Sequence, residues 1–314
     1  MTNVLSSESE LVKRELFRMQ AKNNARSLRE CSDEQDRLGK IMSLRAMRRR
    51  KNRVIYREID FGCFQAAMAV PIGYRRENGA ALYLHGGGYV AGTLDCAKGF
   101  GGELAGTLGK QVLCAAYRLA PRSPFPAALD DAYAAYRRLV SGFGFAPTEI
   151  SFIGESAGGG LALALCHKLK AENYPLPREV VAVSPWADLT FGADRPAHQR
   201  SYNYKKALDP SLDEVLLHQY AEHYAPGRDR RDPLISPLFG DVSGFSRTMI
   251  VAGGDELLLD DAERLYFKLL EQGVECELLV GQGMWHVYPC YIFLPEAKKA
   301  LRRIKAFMGV GDAE

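Results

Sequence analysis

The run Ile150-Ser151-Phe152-Ile153-Gly154-Glu155-Ser156-Ala157-Gly158-Gly159-Gly160-Leu161-Ala162-Leu163 decides the fold. It opens on an apolar stretch short enough for a strand buried on both faces. It closes on small and apolar residues that read as a helix. Between the two, Gly154 to Gly158 fits G-x-S-x-G, the tight turn that lifts a serine hydroxyl clear of a parallel sheet. Glycines at the ends of that motif leave room where a Cβ would clash. Strand, turn and helix in this order make Ser156 a candidate nucleophile.

A serine hydroxyl is a poor nucleophile unless a base accepts its proton. Six histidines are available. His167 lies in the helix after Ser156, about three turns on, and cannot reach back. His198, His218 and His223 fall in a long insertion, where surface or core roles suit them. His85 opens the loop His85-Gly86-Gly87-Gly88 and is expected to brace it by hydrogen bonding. The expected base is His286, in Gly283-Met284-Trp285-His286-Val287-Tyr288, beyond the last strand.

An acid that holds the imidazole's tautomer is expected between serine and histidine in the chain. Val251-Ala252-Gly253-Gly254-Asp255-Glu256-Leu257 places Asp255 at the end of the penultimate strand and makes it the candidate. Asp260 and Asp261 open the next helix, where capping accounts for them. Glu256 is adjacent to Asp255 and is expected to point elsewhere. A tetrahedral oxyanion needs fixed donors. Gly87 and Gly88 can offer two backbone N–H groups, and Ala157, at a helix N-terminus, a third. Reading Gly86 to Gly88 as a phosphate loop fails, because no Lys-Ser or Lys-Thr pair follows and the G-x-G-x-x-G spacing is absent.

Around this core, short apolar runs alternate with helical patterns. Strands are expected at 53–59, 64–70, 80–84, 111–116, 149–153, 180–184, 248–252 and 276–280, and helices at 126–140, 158–172, 261–272 and 295–308. Such alternation implies a doubly wound α/β fold with a mostly parallel eight-stranded sheet flanked by helices. Two helices are expected ahead of the first strand, from the capping boxes at Ser7 to Glu10 and Ser32 to Gln35. They cannot belong to the sheet, so they must cover something. Roughly sixty residues separate the strand ending at Ser184 from the next, far more than an ordinary connection. A helix capped by Asp209, with Pro210 in its first turn, is expected there. The division that follows is 1–52 as N-terminal cap helices, 53–185 and 241–314 as the two parts of the core, and 186–240 as a cap insertion.

The bulk properties fit a globular protein. Of the 314 residues, 47% are hydrophobic and 25% charged, and the net charge is +3. That charge is too small to argue for nucleic acid or an acidic membrane surface, and the run Arg48 to Lys51 reads as the solvated end of a helix. Seven cysteines are scattered without a C-x-x-C pair, which indicates neither a disulfide framework nor a zinc site. Residues 1–10 lack the apolar core of a signal peptide, and no stretch reaches the ~18 apolar residues of a membrane helix. A cytoplasmic, reduced protein is the expectation.

Further motifs carry a resemblance. Together with His85 to Gly88, Gly154 to Gly159 and His286, the segments Tyr117-Arg118-Leu119-Ala120-Pro121, Ser184-Pro185-Trp186-Ala187-Asp188-Leu189-Thr190 and Asp232-Pro233-Leu234-Ile235-Ser236-Pro237-Leu238 resemble the signatures of the hormone-sensitive-lipase-like branch of α/β-hydrolases, the bacterial carboxylesterases and acetylesterases. The resemblance spans 80–288. It implies Ser156, His286 and Asp255 as the triad and Gly87, Gly88 and Ala157 as the oxyanion hole. It further implies a helical cap and short-chain esters, acetyl to about hexanoyl, as substrates, cleaved without metal or organic cofactor through an acyl-enzyme. Arg118 is expected to pair with Asp130 or Asp131. One position departs from the family's common turn, which has Asp or Thr where this chain has Glu155. Members often pair through edge strands, so a homodimer is the assembly the resemblance allows. A deacetylase or amidase acting on a sugar or other small molecule, a non-catalytic ligand-binding protein of the same fold, and an interfacial lipase are the alternatives. A complete triad argues against the second, and charged N-terminal helices against the third.

Overall fold

The computed structural model describes residues 5–23, 33, 36, 47, 50 and 53–309. Eight strands form one sheet: β1 (Val54–Asp60), β2 (Gln65–Pro71), β3 (Ala80–Leu84), β4 (Gln111–Ala116), β5 (Ile150–Glu155), β6 (Glu179–Val183), β7 (Arg247–Gly253) and β8 (Cys276–Gly281). Their order across the sheet is β1-β2-β4-β3-β5-β6-β7-β8. β2 pairs antiparallel with β1 and β4, and every other pairing is parallel. β3 to β7 are almost wholly buried, as their uninterrupted apolar runs require when helices cover both faces.

Eight described helices accompany the sheet: α1 (Ser7–Asn23), α2 (Leu94–Leu108), α3 (Ala127–Arg137), α4 (Ala157–Ala171), α5 (Ser201–Tyr204), α6 (Glu214–Tyr224), α7 (Leu259–Glu271) and α8 (Pro295–Phe307). One apolar core holds Leu82, Phe152, Leu161, Trp186 and Ile250, and a second holds Tyr83, Leu104, Val181, Trp285 and Ile304. The second helix expected within the first fifty residues falls almost wholly outside the described residues.

The structure corrects the reading in two places outside the site. α2 was not expected, because its sequence holds Gly99, Gly101, Gly102 and Gly106, poor helix formers. Close packing on the sheet compensates: a Cβ on Gly101 would lie 2.2 Å from Cys114 Sγ. The helix of the insertion begins at Glu214, capped by Asp213, whose side chain accepts the N–H of Leu216. Asp209 and Pro210 lie one turn ahead of it, and Asp209 serves another purpose, given below. Arg118 has chosen between its two candidates, donating to Asp131 from its backbone N–H, Nε and an Nη at 2.7–3.0 Å.

Sheet register explains why distant parts of the chain meet. β3 and β5 are not consecutive, yet they are neighbours, with Leu84 opposite Gly154. Their next residues, His85-Gly86 and Glu155-Ser156, therefore emerge side by side. β6 beside β5 delivers Ser184, β7 beside β6 delivers Asp255 and Glu256, and β8 beside β7 delivers His286. All five loops leave the carboxyl ends of adjacent parallel strands, where α/β sheets place their ligands.

Candidate active site

Ser156 sits at φ 56° and ψ −124°, a region that L-residues rarely adopt. Neighbouring backbone holds it there. Its N–H donates to Val183 O at 2.8 Å, while its own carbonyl accepts from Gly160 and Trp186. A Cβ on Gly158 would lie 2.1 Å from Leu84 O and 2.4 Å from His85 O, so only glycine lets the elbow press against the His85 loop. The strained turn leaves Oγ free to reach outward, and His286 Nε2 lies 2.9 Å away. With the imidazole neutral, Ser156 O–H donates to Nε2. Both side chains are buried.

The carboxylate beside His286 is where the structure departs from the sequence reading. Asp255 turns away from His286: its carboxylate meets Lys13 Nζ at 2.6 Å, with Lys205 Nζ at 3.6 Å. Glu256 instead faces the imidazole. Its Oε2 stands 3.6 Å from His286 Nδ1, a separation longer than a hydrogen bond but one that catalytic pairs show before substrate tightens them. Glu256 is fully buried, and Oε2 accepts from Ser184 Oγ at 2.6 Å and from Gly253 N–H at 3.1 Å. Asp260 and Asp261 are also elsewhere. Asp260 pairs with Arg195, and Asp261 accepts the N–H groups of Ala187 and Asp188.

Two residues of this neighbourhood have contacts that the sequence analysis did not anticipate. Ser184, held at φ 47°, donates to Glu256 and accepts Val287 N–H at 3.0 Å, so one hydroxyl joins the acid's turn to the base's loop. Asp209, buried in the insertion, accepts Leu257 N–H at 2.8 Å beside Glu256 and also takes the N–H groups of Ser211 and Leu212. Burial pushes its carboxyl up to about 6. Burial alone would lower the His286 imidazole. The close carboxylate of Glu256, with the charges of Asp209 and Glu155 behind it, outweighs that and raises it above its ordinary 6.5.

The glycine loop is braced from several sides. His85 is kept neutral by burial, which lowers it to about 4, and its Nδ1–H donates to Gly86 O at 2.7 Å. Tyr117 O–H donates to His85 O at 2.5 Å and its ring stacks on the imidazole. Among the described residues, the N–H groups of Gly87, Gly88 and Ala157 donate to no protein acceptor. Tyr220 of α6 covers this loop closely: a Cβ on Gly88 would lie 2.4 Å from its ring.

α1 straps the acid and base loops. Besides meeting Asp255, Lys13 Nζ donates to Gly283 O at 2.9 Å, and Ser9 Oγ donates to Glu296 at the start of α8 at 2.7 Å. Gln20 reaches Leu212 O in the insertion at 2.8 Å. His167, as expected, is remote, bonded to Pro237 O.

Comparison with known proteins agrees in kind. Residues 81–290 match the family described as alpha/beta hydrolase fold. An acetyl-hydrolase of Streptomyces hygroscopicus is 37% identical over 241 residues, 76% of this chain and 78% of that protein. An ethyl acetate hydrolase of Pseudomonas putida is 39% identical over 214 residues, 66% of this chain and 65% of that one. Among solved structures, an esterase from the bacterial hormone-sensitive lipase family superposes with a TM-score of 0.84 at 31% identity, covering 97% of this chain and 98% of that chain. EstE5 soaked with p-nitrophenyl butyrate gives 0.85 at 31% identity, covering 96% and 98%. Among the described residues no helix is long and apolar enough to cross a membrane.

Proposed function

The chain belongs to the α/β-hydrolase fold family and is a carboxylic ester hydrolase, and on that premise we propose that Ser156 is its nucleophile, His286 its base and Glu256 the acid that orients the base. The observation that carries this reading is the 2.9 Å bond between Ser156 Oγ and His286 Nε2, made from a strained elbow beside three backbone amides that have no protein acceptor among the described residues.

In this mechanism His286 Nε2 takes the hydroxyl proton as Oγ attacks the ester carbonyl. Glu256 stabilises the imidazolium that forms. Gly87, Gly88 and Ala157 donate to the oxyanion, each such donor being worth on the order of 10² to 10³ in rate. The imidazolium then returns its proton to the leaving alcohol, and the C–O bond breaks to give the acyl-enzyme. Water, deprotonated by the same base, attacks the acyl carbonyl, and Oγ leaves with the proton. α1 and residues 186–240 act as a cap over this centre. Tyr220 so near Gly88 forms a low roof, which favours acyl groups from acetyl to about hexanoyl.

A series of p-nitrophenyl esters from acetate to dodecanoate tests this directly. We expect kcat/KM to peak between acetate and hexanoate and to fall by about tenfold or more at octanoate. A rate that keeps rising to dodecanoate would discard the roof and the short-chain reading. A fluorophosphonate probe is expected to label Ser156, and an unlabelled Ser156 would reject the nucleophile.

Ser184 offers a finer test. Ser184→Ala removes the hydroxyl that joins Glu256 to the His286 loop, and kcat is expected to drop on the order of tenfold with KM little changed. Unchanged kcat would mean that Gly253 N–H is sufficient to hold the acid.

A further inference from the structure

Glu155 is the one residue of the elbow motif that the mechanism leaves without a role. Its Oε1 accepts Gly86 N–H at 2.6 Å and Tyr83 O–H at 3.1 Å. A carboxylate on the last residue of β5 thus ties down the loop after β3. The fit is close enough that a Cβ on Gly86 would lie 2.3 Å from Glu155 Oε2 and 2.9 Å from Ser156 Cβ.

Peptide planarity gives this tie a consequence for the reaction. N–H and C=O of one trans peptide point in opposite directions, so a bond to either sets the direction of both. The His85–Gly86 peptide is held at its N–H by Glu155 and at its C=O by Tyr117. The following Gly86–Gly87 peptide is held at its C=O by His85, which aims the Gly87 N–H the opposite way. Release of the Gly86 N–H would leave the first plane on the single Tyr117 bond at its C=O and loosen the aim of the planes after it.

We propose that Glu155 is a positioning residue, aiming the Gly87 and Gly88 amides at the oxyanion through Gly86 N–H and adding its negative charge to the field on His286. This rests on the ester-hydrolase mechanism above and goes beyond it, because Glu155 touches none of the reacting atoms. The titratable groups whose charge is coupled to its carboxyl are Tyr83 from β3, Tyr117 from the loop after β4, and His286 and Cys290 from the segment after β8. Burial pushes Glu155 up to about 7, against the opposing pull of Gly86 N–H, His286 and Tyr83. An ionised Glu155 favours the imidazolium, so its loss lowers the His286 pKa.

The test compares Glu155→Gln and Glu155→Ala with the parent on p-nitrophenyl butyrate across pH, with Ser156→Ala alongside. Glutamine keeps an acceptor for Gly86 N–H and loses the charge; alanine loses both. We expect kcat to fall on the order of 10²-fold in Glu155→Ala and by less than about tenfold in Glu155→Gln, with KM within about twofold in each, since a misaimed oxyanion donor affects the transition state more than the ground state. In both variants the acidic limb of kcat/KM moves to lower pH. Glu155→Gln, nearly isosteric, carries the test if Glu155→Ala does not fold. A folded Glu155→Gln whose limb stays in place, or a folded Glu155→Ala with parental kcat, overturns the proposal while leaving an inactive Ser156→Ala to uphold the triad. An active Ser156→Ala overturns both.

Discussion

Ser156→Ala is expected to lower kcat for p-nitrophenyl butyrate by at least ~10⁴-fold and to leave the fold in place. The effect is large because the substitution deletes the attacking atom, and what remains is the oxyanion site with binding alone. The fold should survive because, among the described residues, Oγ hydrogen-bonds only to His286, while the backbone bonds that hold the elbow run through the N–H and carbonyl of the same residue. Alanine keeps the Cβ, so the strain at φ 56° is neither relieved nor increased. Loss of a single buried hydrogen bond costs about 1 kcal/mol, which thermal melting would register as a small shift. Residual turnover within about tenfold of the parent would move the nucleophile elsewhere.

The strand–turn–helix elbow at Ser156 was legible in the sequence because its geometry demands particular residues at fixed offsets. Gly158 cannot carry a Cβ against Leu84 O, and a motif enforced by backbone contact shows itself as a pattern. Strand alternation with helices was legible for a related reason, since β3 to β7 are covered on both faces and must be apolar throughout. α2 was not, because its glycines suit the close approach to β2 and β4 and carry no helical preference of their own. Asp209 was read as a cap for the helix one turn later. A short carboxylate near a turn does cap N–H groups, but which ones it finds depends on the Leu257 segment arriving from another part of the chain. Ser184 sits in a segment whose neighbours Pro185 and Trp186 look like scaffold, and the positive φ that aims its hydroxyl leaves no mark in the sequence.

The carboxylate that faces His286 is the case where spacing fails outright. Asp255 and Glu256 are consecutive, and after β7 ends at Gly253 the chain turns, so neighbouring side chains diverge and only one can face His286. Long-range partners decide which. Lys13 and Lys205 draw Asp255 outward, while Ser184 and Gly253 draw Glu256 inward. Glu256→Gln is therefore expected to reduce kcat by ~10³ to 10⁴-fold, the scale seen when a triad acid becomes a neutral amide. The acidic limb of the residual activity should move to lower pH, because Glu256 is the strongest influence raising the His286 pKa and removing it lets burial pull the imidazole down. Asp255→Asn should behave differently. It weakens the α1 strap at partly exposed ion pairs, for a stability loss of about 1 kcal/mol or less, and kcat should stay within about tenfold of the parent. Measuring both variants by steady-state kinetics and thermal melting separates the two roles. Should Asp255→Asn prove the more damaging to kcat, the acid is Asp255, and the buried carboxylate beside His286 serves only to hold Ser184 in place.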